Sequence, residues 1–309
     1  MSTVNRNKII KSGNKILENT KNPIVPKNTQ KNIVTKINKN TQLPVIETPK
    51  YNDIIHLPKI INTKNRQINK FNGIDAIFWI NLDRSVDRKK LFEKQIKIYN
   101  TTKIPVTRIT AYDGSVVNVN DIITNLNVLD IRNMKTNEIC CLLSHLYAIL
   151  TASTYKGEYF LILEDDVIMN NLKYINSLKS IITKCPQFDI LMLSKLVIND
   201  NSLTNEQYTL RVDSNISGTQ SYIISRNGIE KIKSLFSYTD GKFNFNTNYL
   251  SFADFYIYEN CITYFYKYNL FFEKADNTLL DHNLEFARNS NKINDLIILK
   301  NLNKCGLLQ

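Results

Sequence analysis

The sequence lacks the features that would place the chain in a membrane or in a secretory pathway. No window approaches 18 uninterrupted apolar residues, which excludes a transmembrane helix of ordinary length. Residues 1–13 carry charge but no apolar stretch of the kind that a signal peptide needs, and residues 304–309 do not form an ER-retention signal. We therefore expect a protein without a signal peptide or a transmembrane segment, in a cytoplasmic setting.

Glycine and cysteine are also scarce, with eight and five residues among 309. No Gly-rich fingerprint follows the first predicted strand, which argues against binding of a dinucleotide. The cysteines are odd in number and lack the spacing of a metal site. We therefore expect buried, reduced thiols, as in a cytosol-like compartment.

Positive charge is concentrated in one part of the chain. The net charge is +12, and residues 1–70 contribute +11 of it, whereas residues 71–309 carry +1. Residues 1–70 are rich in Asn, Lys and Thr and show no sustained periodicity, which predicts an extended or disordered basic leader. This leader is either an arm for an acidic partner or, as we favour, a solvated linker. Residues 71–309 form the predicted folded domain, and because they are nearly neutral we expect no nucleic-acid partner.

The most informative stretch is residues 159–169, in which an apolar run is followed at once by Glu164, Asp165 and Asp166. A short apolar run without polar alternation predicts a strand buried on both faces, as in a parallel sheet. The three carboxylates then stand at the carboxyl end of that strand, where open α/β sheets bind ligands. Because adjacent carboxylates repel one another, a divalent metal carrying a diphosphate is one interpretation. The alternative is a polar turn in which an aspartate caps the next helix.

Alternation of strands and helices predicts the α/β class, with a mainly parallel central sheet flanked by helices. The predicted strands are residues 76–82, 104–114, 159–163, 188–194, 208–212 and 218–225, and the clearest predicted helices are residues 137–155, 172–183 and 226–236.

Several polar residues next to these elements are candidates for a site. Polar groups after the first strand, from Asn81 to Arg84, are placed to meet a nucleotide, although they also suit an ordinary helix start. His145 on an apolar helix face is more often a core residue than a ligand. Gly218 and Thr219 at a strand start indicate close approach of a ligand to the backbone, or a bulge.

Two further candidates lie towards the end of the chain. Asp254 among aromatic residues is either a structural cap or a base with a raised pKa. His282, beside Asp281, is a candidate that returns to the metal.

Four landmarks in sequence order resemble glycosyltransferase family 25, which includes the collagen β-galactosyltransferases and bacterial lipooligosaccharide galactosyltransferases. They are Ile-Asn-Leu-Asp-Arg-Ser at 80–85, Glu-Ile-x-Cys-x-x-Ser-His at 138–145, Ile-Leu-Glu-Asp-Asp-Val at 162–167, and Gly-Thr-x-x-Tyr-x-Ile-Ser at 218–225. Ala253-Asp254 with an aromatic residue next is a weaker fifth. The resemblance spans about residues 74–275 and leaves the leader uncovered.

The resemblance implies a GT-A-like fold and metal-dependent, inverting transfer of a hexose from a UDP-sugar, with galactose as the first choice and glucose as the second. The implied cofactor is Mn²⁺ or Mg²⁺, and the implied acceptor is hydroxylysine or galactosyl-hydroxylysine of a collagen-like protein. A glycan or lipooligosaccharide acceptor and an inactive binding module are the alternatives. The implied roles are as follows: Glu164, Asp166 and His282 for the metal; Asp254 as the base; and Asn81, Leu82, Asp83, Arg84, Ser144, His145, Asp165, Gly218 and Thr219 for the donor.

The sequence departs from the family pattern at three positions. Asn137 and Cys140 stand where glycine is usual, and Phe255 stands where tryptophan is usual. The absence of secretory signals and the Asn/Lys/Ile bias fit a bacterial or viral setting, such as a large DNA virus. We therefore expect a location in the cytoplasm, the host cytoplasm or the virion.

Overall fold

The computed structural model describes residues 69–131, 133–197, 206–212 and 216–273. Of the predicted leader, only Asn69 and Lys70 fall within these ranges, so the division at residue 70 stays a prediction. His282 lies outside the described residues. Within them, no helix is both long enough and apolar enough to cross a membrane.

The described residues fold into a sheet of seven strands with helices on both faces and three small two-stranded sheets. In chain order the strands are β1 (Ala76–Asn81), β2 (Val106–Thr110), β3 (Tyr159–Glu164), β4 (Val167–Ile168), β5 (Ile190–Met192), β6 (Leu196–Val197), β7 (Tyr208–Leu210), β8 (Ile216–Ser217), β9 (Ser221–Ser225), β10 (Phe236–Thr239), β11 (Lys242–Phe245), β12 (Thr263–Tyr266) and β13 (Phe272–Glu273). The α-helices are α1 (Val86–Tyr99), α2 (Val119–Ile122), α3 (Thr136–Ser153), α4 (Lys179–Ile182), α5 (Arg226–Lys233) and α6 (Ala253–Tyr258), and 3₁₀ turns occupy Leu126–Val128 and Asn170–Tyr174.

The large sheet has the order β2-β1-β3-β9-β5-β12-β7. Strands β2, β1, β3, β5 and β12 run in one direction, while β9 and β7 run in the other. This confirms the predicted α/β class with a mainly parallel sheet. The reversal of β9 is a feature that hydrophobic patterning does not predict, because burial leaves strand direction open.

Strand β3 is buried on both faces, as its apolar run predicts. Phe160 and Ile162 belong to a core that packs under α3, whereas Leu161 and Leu163 belong to a second core on the opposite face, beside α1. All four side chains have no exposed surface. Because both faces are covered, the end of the strand is the part of it that can meet a ligand.

The predicted helix 172–183 is wrong in its extent. The structure has a 3₁₀ turn at Asn170–Tyr174 and one α-helical turn, α4, at Lys179–Ile182. The residues at the start of α4 are instead hydrogen-bonded to the segment before β1. Leu178 N donates to Lys70 O at 2.8 Å, and Lys179 N donates to Asn72 O at 2.6 Å. These tertiary hydrogen bonds outweigh the local helical pattern.

Candidate active site

The candidate site lies at the carboxyl ends of β1 and β3. Ile80 pairs with Glu164 in the parallel register of these strands, so Asn81 stands beside the start of the acidic turn. Asn81 is buried, and its Nδ2 donates to Asp165 Oδ2 at 2.5 Å. The loop before β9 reaches the same edge because β9 is antiparallel to β3, with Ser221 opposite Leu163. Three segments that are distant in sequence therefore meet here.

Glu164 is held by hydrogen bonds to one carboxylate oxygen. Thr219 Oγ1 donates to Glu164 Oε1 at 2.8 Å, and His145 Nε2 lies 3.3 Å from the same oxygen. His145 is buried, and its Nδ1 lies 3.2 Å from the hydroxyl of Tyr222. Burial opposes ionisation of Glu164, but the bonds from His145 and Thr219 and the charge of Arg88 outweigh it. The pKa of Glu164 therefore lies below its ordinary value.

Asp165 and Asp166 share one cation, Arg88 of helix α1. Arg88 Nη1 lies 3.0 Å from Asp165 Oδ1 and 3.4 Å from Asp166 Oδ2. Asn81 donates to the second oxygen of Asp165, so both carboxylate oxygens have a partner. Asp165 is 6% exposed. Burial raises the pKa of Asp165 in spite of these partners. Asp165 therefore links β1, α1 and the acidic turn.

The residues after β1 are tied to the same edge through Arg108 of β2. Arg108 Nη2 donates to Asp83 Oδ1 at 2.6 Å, and Arg108 Nε donates to Asn81 Oδ1 at 2.8 Å. Leu82 closes the turn into α1, where its carbonyl oxygen accepts from Ser85 N at 2.9 Å. Asp83 remains largely exposed, so it stands at the rim of the site.

Arg84 and Ser144 fix the loop that follows β2. Arg84 Nε donates to Asp113 Oδ2 at 2.5 Å, which lowers the pKa of Asp113 to about 2. Ser144 Oγ accepts from Tyr112 N at 2.9 Å and donates to Cys140 O at 2.6 Å. Contact of Arg84 and Ser144 with a donor stays a prediction.

Gly218 connects the loop before β9 to Asp254, which lies in the first turn of α6. Gly218 N donates to Asp254 Oδ2 at 3.1 Å, and Phe255 N donates to Asp254 Oδ1 at 3.0 Å. Gly218 has a φ of +102°, and a Cβ atom there would lie 2.4 Å from Gln220 Oε1. The positive φ therefore calls for glycine. The two backbone N–H groups orient the Asp254 carboxylate.

Besides burial, the negative charges of Glu164, Asp166 and Asp254 all raise the pKa of one thiol, that of Cys141. Burial raises the pKa of Cys141 well above its ordinary value, and the charges of these three carboxylates add to the shift. The fold thus brings the acidic turn and α6 within Coulomb range of a common point, although about 90 residues separate them in the chain.

The described residues supply a partial donor set for a metal. Among them, no three His, Cys, Asp or Glu side chains gather as a complete metal cluster. Mg²⁺ and similar hard cations are, however, bound in nucleotide sites through one or two carboxylates together with substrate phosphates. Glu164 and Asp166 are oxygen donors of that kind, so the chemistry of the donor set fits such a cation.

Arg88, Arg108 and Tyr222 are site residues whose contacts the sequence motifs do not assign. Arg88 lies in the first turn of α1, whereas Arg84 precedes the helix. Nothing local in the sequence indicates that Arg88 lies over the acidic turn. Tyr222 stands inside the fourth landmark, but its contact with His145 depends on the reversed direction of β9.

The family follows from a comparison with known protein families. Residues 74–246, which are more than half of the chain, match the family described as glycosyltransferase family 25 (LPS biosynthesis protein). The chain belongs to glycosyltransferase family 25. This confirms the resemblance that the four landmarks carry.

The span of the family 25 match covers most of the candidate site. It includes Asn81, His145, the acidic turn and the loop at Gly218, and it ends before Asp254 and His282. The roles of these last two residues therefore depend on geometry and on experiment.

Comparisons with individual proteins add little. A search among curated proteins finds no match. Among solved structures, the chain is similar to a glycosyltransferase involved in the glycosylation of the major capsid of PBCV-1, with 11% identity and a TM-score of 0.33. That similarity covers 52% of this chain and 63% of the other, less than two thirds of its length. A similarity this weak does not indicate a shared substrate or activity.

Proposed function

We propose that this family 25 chain is a metal-dependent, inverting glycosyltransferase that moves a hexose from a UDP-sugar to an acceptor hydroxyl. The observation that carries the proposal is the ordered acidic turn at the carboxyl end of β3. Glu164 is kept ionised there by Thr219 and His145, and Asp166 lies beside it. Such a fixed excess of negative charge is costly unless a bound cation compensates for it.

On the donor side, Glu164 and Asp166 would hold Mn²⁺ or Mg²⁺, with His282 as a third ligand. When bound, the cation offsets the negative charge that develops on the departing diphosphate. Asp165 and Asn81 keep the turn rigid through their hydrogen bond of 2.5 Å. Rigid placement matters because catalysis depends on fixed charges that need no rearrangement during the reaction.

The nucleotide would lie across the ends of β1 and β3. Asn81, Leu82, Asp83 and Arg84 border this region on one side, and Gly218 and Thr219 border it on the other. Ser144 and His145 support it from α3.

On the acceptor side, Asp254 would act as the base. Inversion requires a group that takes the proton of the acceptor hydroxyl on the face opposite the leaving group. The carboxylate of Asp254 is held by Gly218 N and Phe255 N, and the residue next to Gly218, Thr219, donates to Glu164. Asp254 thus has a fixed carboxylate near the acidic turn but on a different element.

Galactose is our first choice for the sugar and glucose our second. The proposed acceptor is hydroxylysine or galactosyl-hydroxylysine of a collagen-like protein, and a glycan or lipooligosaccharide is the second choice. An inactive binding module is disfavoured, because a site without chemistry gains nothing from keeping three adjacent carboxylates.

The test is release of UDP from a panel of UDP-sugars by the full chain, with Mn²⁺ or with EDTA. We expect turnover of one donor that depends on metal. Silence with every donor calls for calorimetry of UDP in the presence of Mn²⁺. Absence of binding in that measurement would refute the proposal, whereas binding without turnover would point to a missing acceptor.

A further inference from the structure

Arg88 is partly buried against the acidic turn. It lies in the first turn of α1, and its side chain is 17% exposed. A single nitrogen, Nη1, lies within salt-bridge distance of both Asp165 and Asp166. This long-range contact joins residues that are 77 and 78 positions apart.

Arg88 changes the charge that the turn presents to a ligand. Glu164, Asp165 and Asp166 carry three negative charges when ionised, and the guanidinium offsets one of them. The turn therefore presents less negative charge to a metal ion than its three carboxylates alone would present.

The guanidinium of Arg88 keeps one buried nitrogen, Nη2, that makes no hydrogen bond to the described residues. An unsatisfied buried donor is costly, and more so on a charged group. The fold therefore keeps a cation at this point even though one of its nitrogens is left unsatisfied.

We propose that Arg88 is a positioning residue that sets the charge of the acidic turn, so that the site binds one divalent cation moderately and the nucleotide diphosphate tightly. This inference rests on the proposed function. It predicts that Arg88 has opposite effects on the binding of the metal ion and of the diphosphate. A guanidinium close to the turn repels the metal ion and attracts the negatively charged diphosphate.

Calorimetry on the full chain tests this with Mn²⁺ alone and then with UDP at saturating Mn²⁺. We expect Arg88→Met to bind Mn²⁺ about tenfold more tightly and UDP about tenfold more weakly than the wild type. Arg88→Gln removes the same charge but keeps a polar group, so it should show the same two shifts and serves if the methionine variant does not fold. Arg88→Lys keeps the charge and should stay within about threefold of the wild type for both ligands.

Lys90→Met is the matched control, because it removes one charge from the exposed face of the same helix. We expect both of its dissociation constants to stay near the wild-type values. A loosened site would weaken both ligands together, so opposite shifts distinguish a charge effect from structural damage. If both charge-removing variants weaken both ligands, or change neither, the inference is overturned. If the wild type itself binds neither Mn²⁺ nor UDP, the proposed function fails and this inference fails with it.

Discussion

Two carboxylate sites lie at opposite ends of the parallel strands of the large sheet. At the start of β5, Asp189 is 1% exposed and accepts hydrogen bonds from Asn227 at 2.6 Å, Lys231 at 2.5 Å and Ile262 N at 2.7 Å. At the end of β3, Asp165 and Asp166 share Arg88 as their salt-bridging arginine, and Glu164 Oε1 lies 3.3 Å from His145 Nε2. Asp189 is thus one acid with three protein donors, whereas in the acidic turn two of the three acids share a single arginine.

This difference separates a structural carboxylate from a functional one. Asp189 ties β5 to α5 and to the segment before β12, so its charge is used within the fold. At the acidic turn, the described protein groups leave an excess of negative charge, which is suited to an external cation. Acidic residues within the fold thus have two roles, and their partners decide between them.

Asp166→Ala should give the largest effect, because it removes a proposed metal ligand from the turn. We expect turnover of the UDP-sugar to fall by about a thousandfold, since an electrophilic metal contributes several kcal/mol. UDP binding should weaken with Mn²⁺ present but stay unchanged in EDTA. Near-normal turnover by this variant would remove Asp166 from the metal site.

Asp254→Asn tests whether α6 belongs to the functional edge. The amide keeps the size of the side chain but cannot accept the proton of the acceptor hydroxyl, so transfer should fall by about a hundredfold or more. Calorimetry should show unchanged binding of UDP with Mn²⁺, since the turn is intact. A fully active variant would exclude Asp254 as the base.

Asp189→Ala should affect stability and leave turnover per folded molecule unchanged. It leaves Lys231 and two other donors without their acceptor, which we expect to lower the free energy of unfolding by about 2 kcal/mol, discounted because Lys231 is partly exposed. Urea denaturation measures this. Glu230→Ala is the control. Glu230 lies on α5 together with Lys231, and its exposed ion pair with Lys233 contributes little to stability.

The same variant carries a pH signature. Burial alone would raise the pKa of Asp189, but the bonds from Lys231, Ile262 and Asn227 outweigh it and hold that pKa below its ordinary value. The stabilisation is therefore present above the unfolded pKa of about 4 and is lost as pH falls through the folded pKa. The difference in unfolding free energy between wild type and Asp189→Ala should be constant near neutral pH and shrink below about pH 4. A difference that grows with acid would contradict this assignment.

The strands and the acidic turn could be predicted from local pattern, whereas their partners could not. The apolar run before Glu164 predicts burial on both faces, and its length predicts a strand. Helix α6 gives no comparable signal, because a six-residue, aromatic-rich segment has low helix propensity and is held by tertiary packing.

Long-range contacts account for the rest of what the sequence does not predict. The pairing of Arg88 with Asp165 spans 77 residues, and that of Lys231 with Asp189 spans 42. In the sequence, Arg88 and Lys231 do not differ in charge from the solvated arginine and lysine residues around them. The direction of β9, which brings Thr219 to Glu164, likewise depends on the assembled sheet.

Thr219→Val gives the smallest expected effect and sharpens the comparison inside the acidic turn. Valine keeps the shape of the side chain but removes the donor that lies 2.8 Å from Glu164 Oε1, so His145 alone orients this oxygen. We expect kcat/KM to fall by about tenfold, with little change in stability, because one hydrogen bond to a charged group contributes about 1.5 kcal/mol. Thr183→Val is the control, because it removes an exposed threonine hydroxyl bond, to Lys179 O at the end of α4, and should leave kcat/KM unchanged. If the two variants behave alike, Thr219 does not position Glu164, and the acidic turn is held by Arg88 and Asn81 instead.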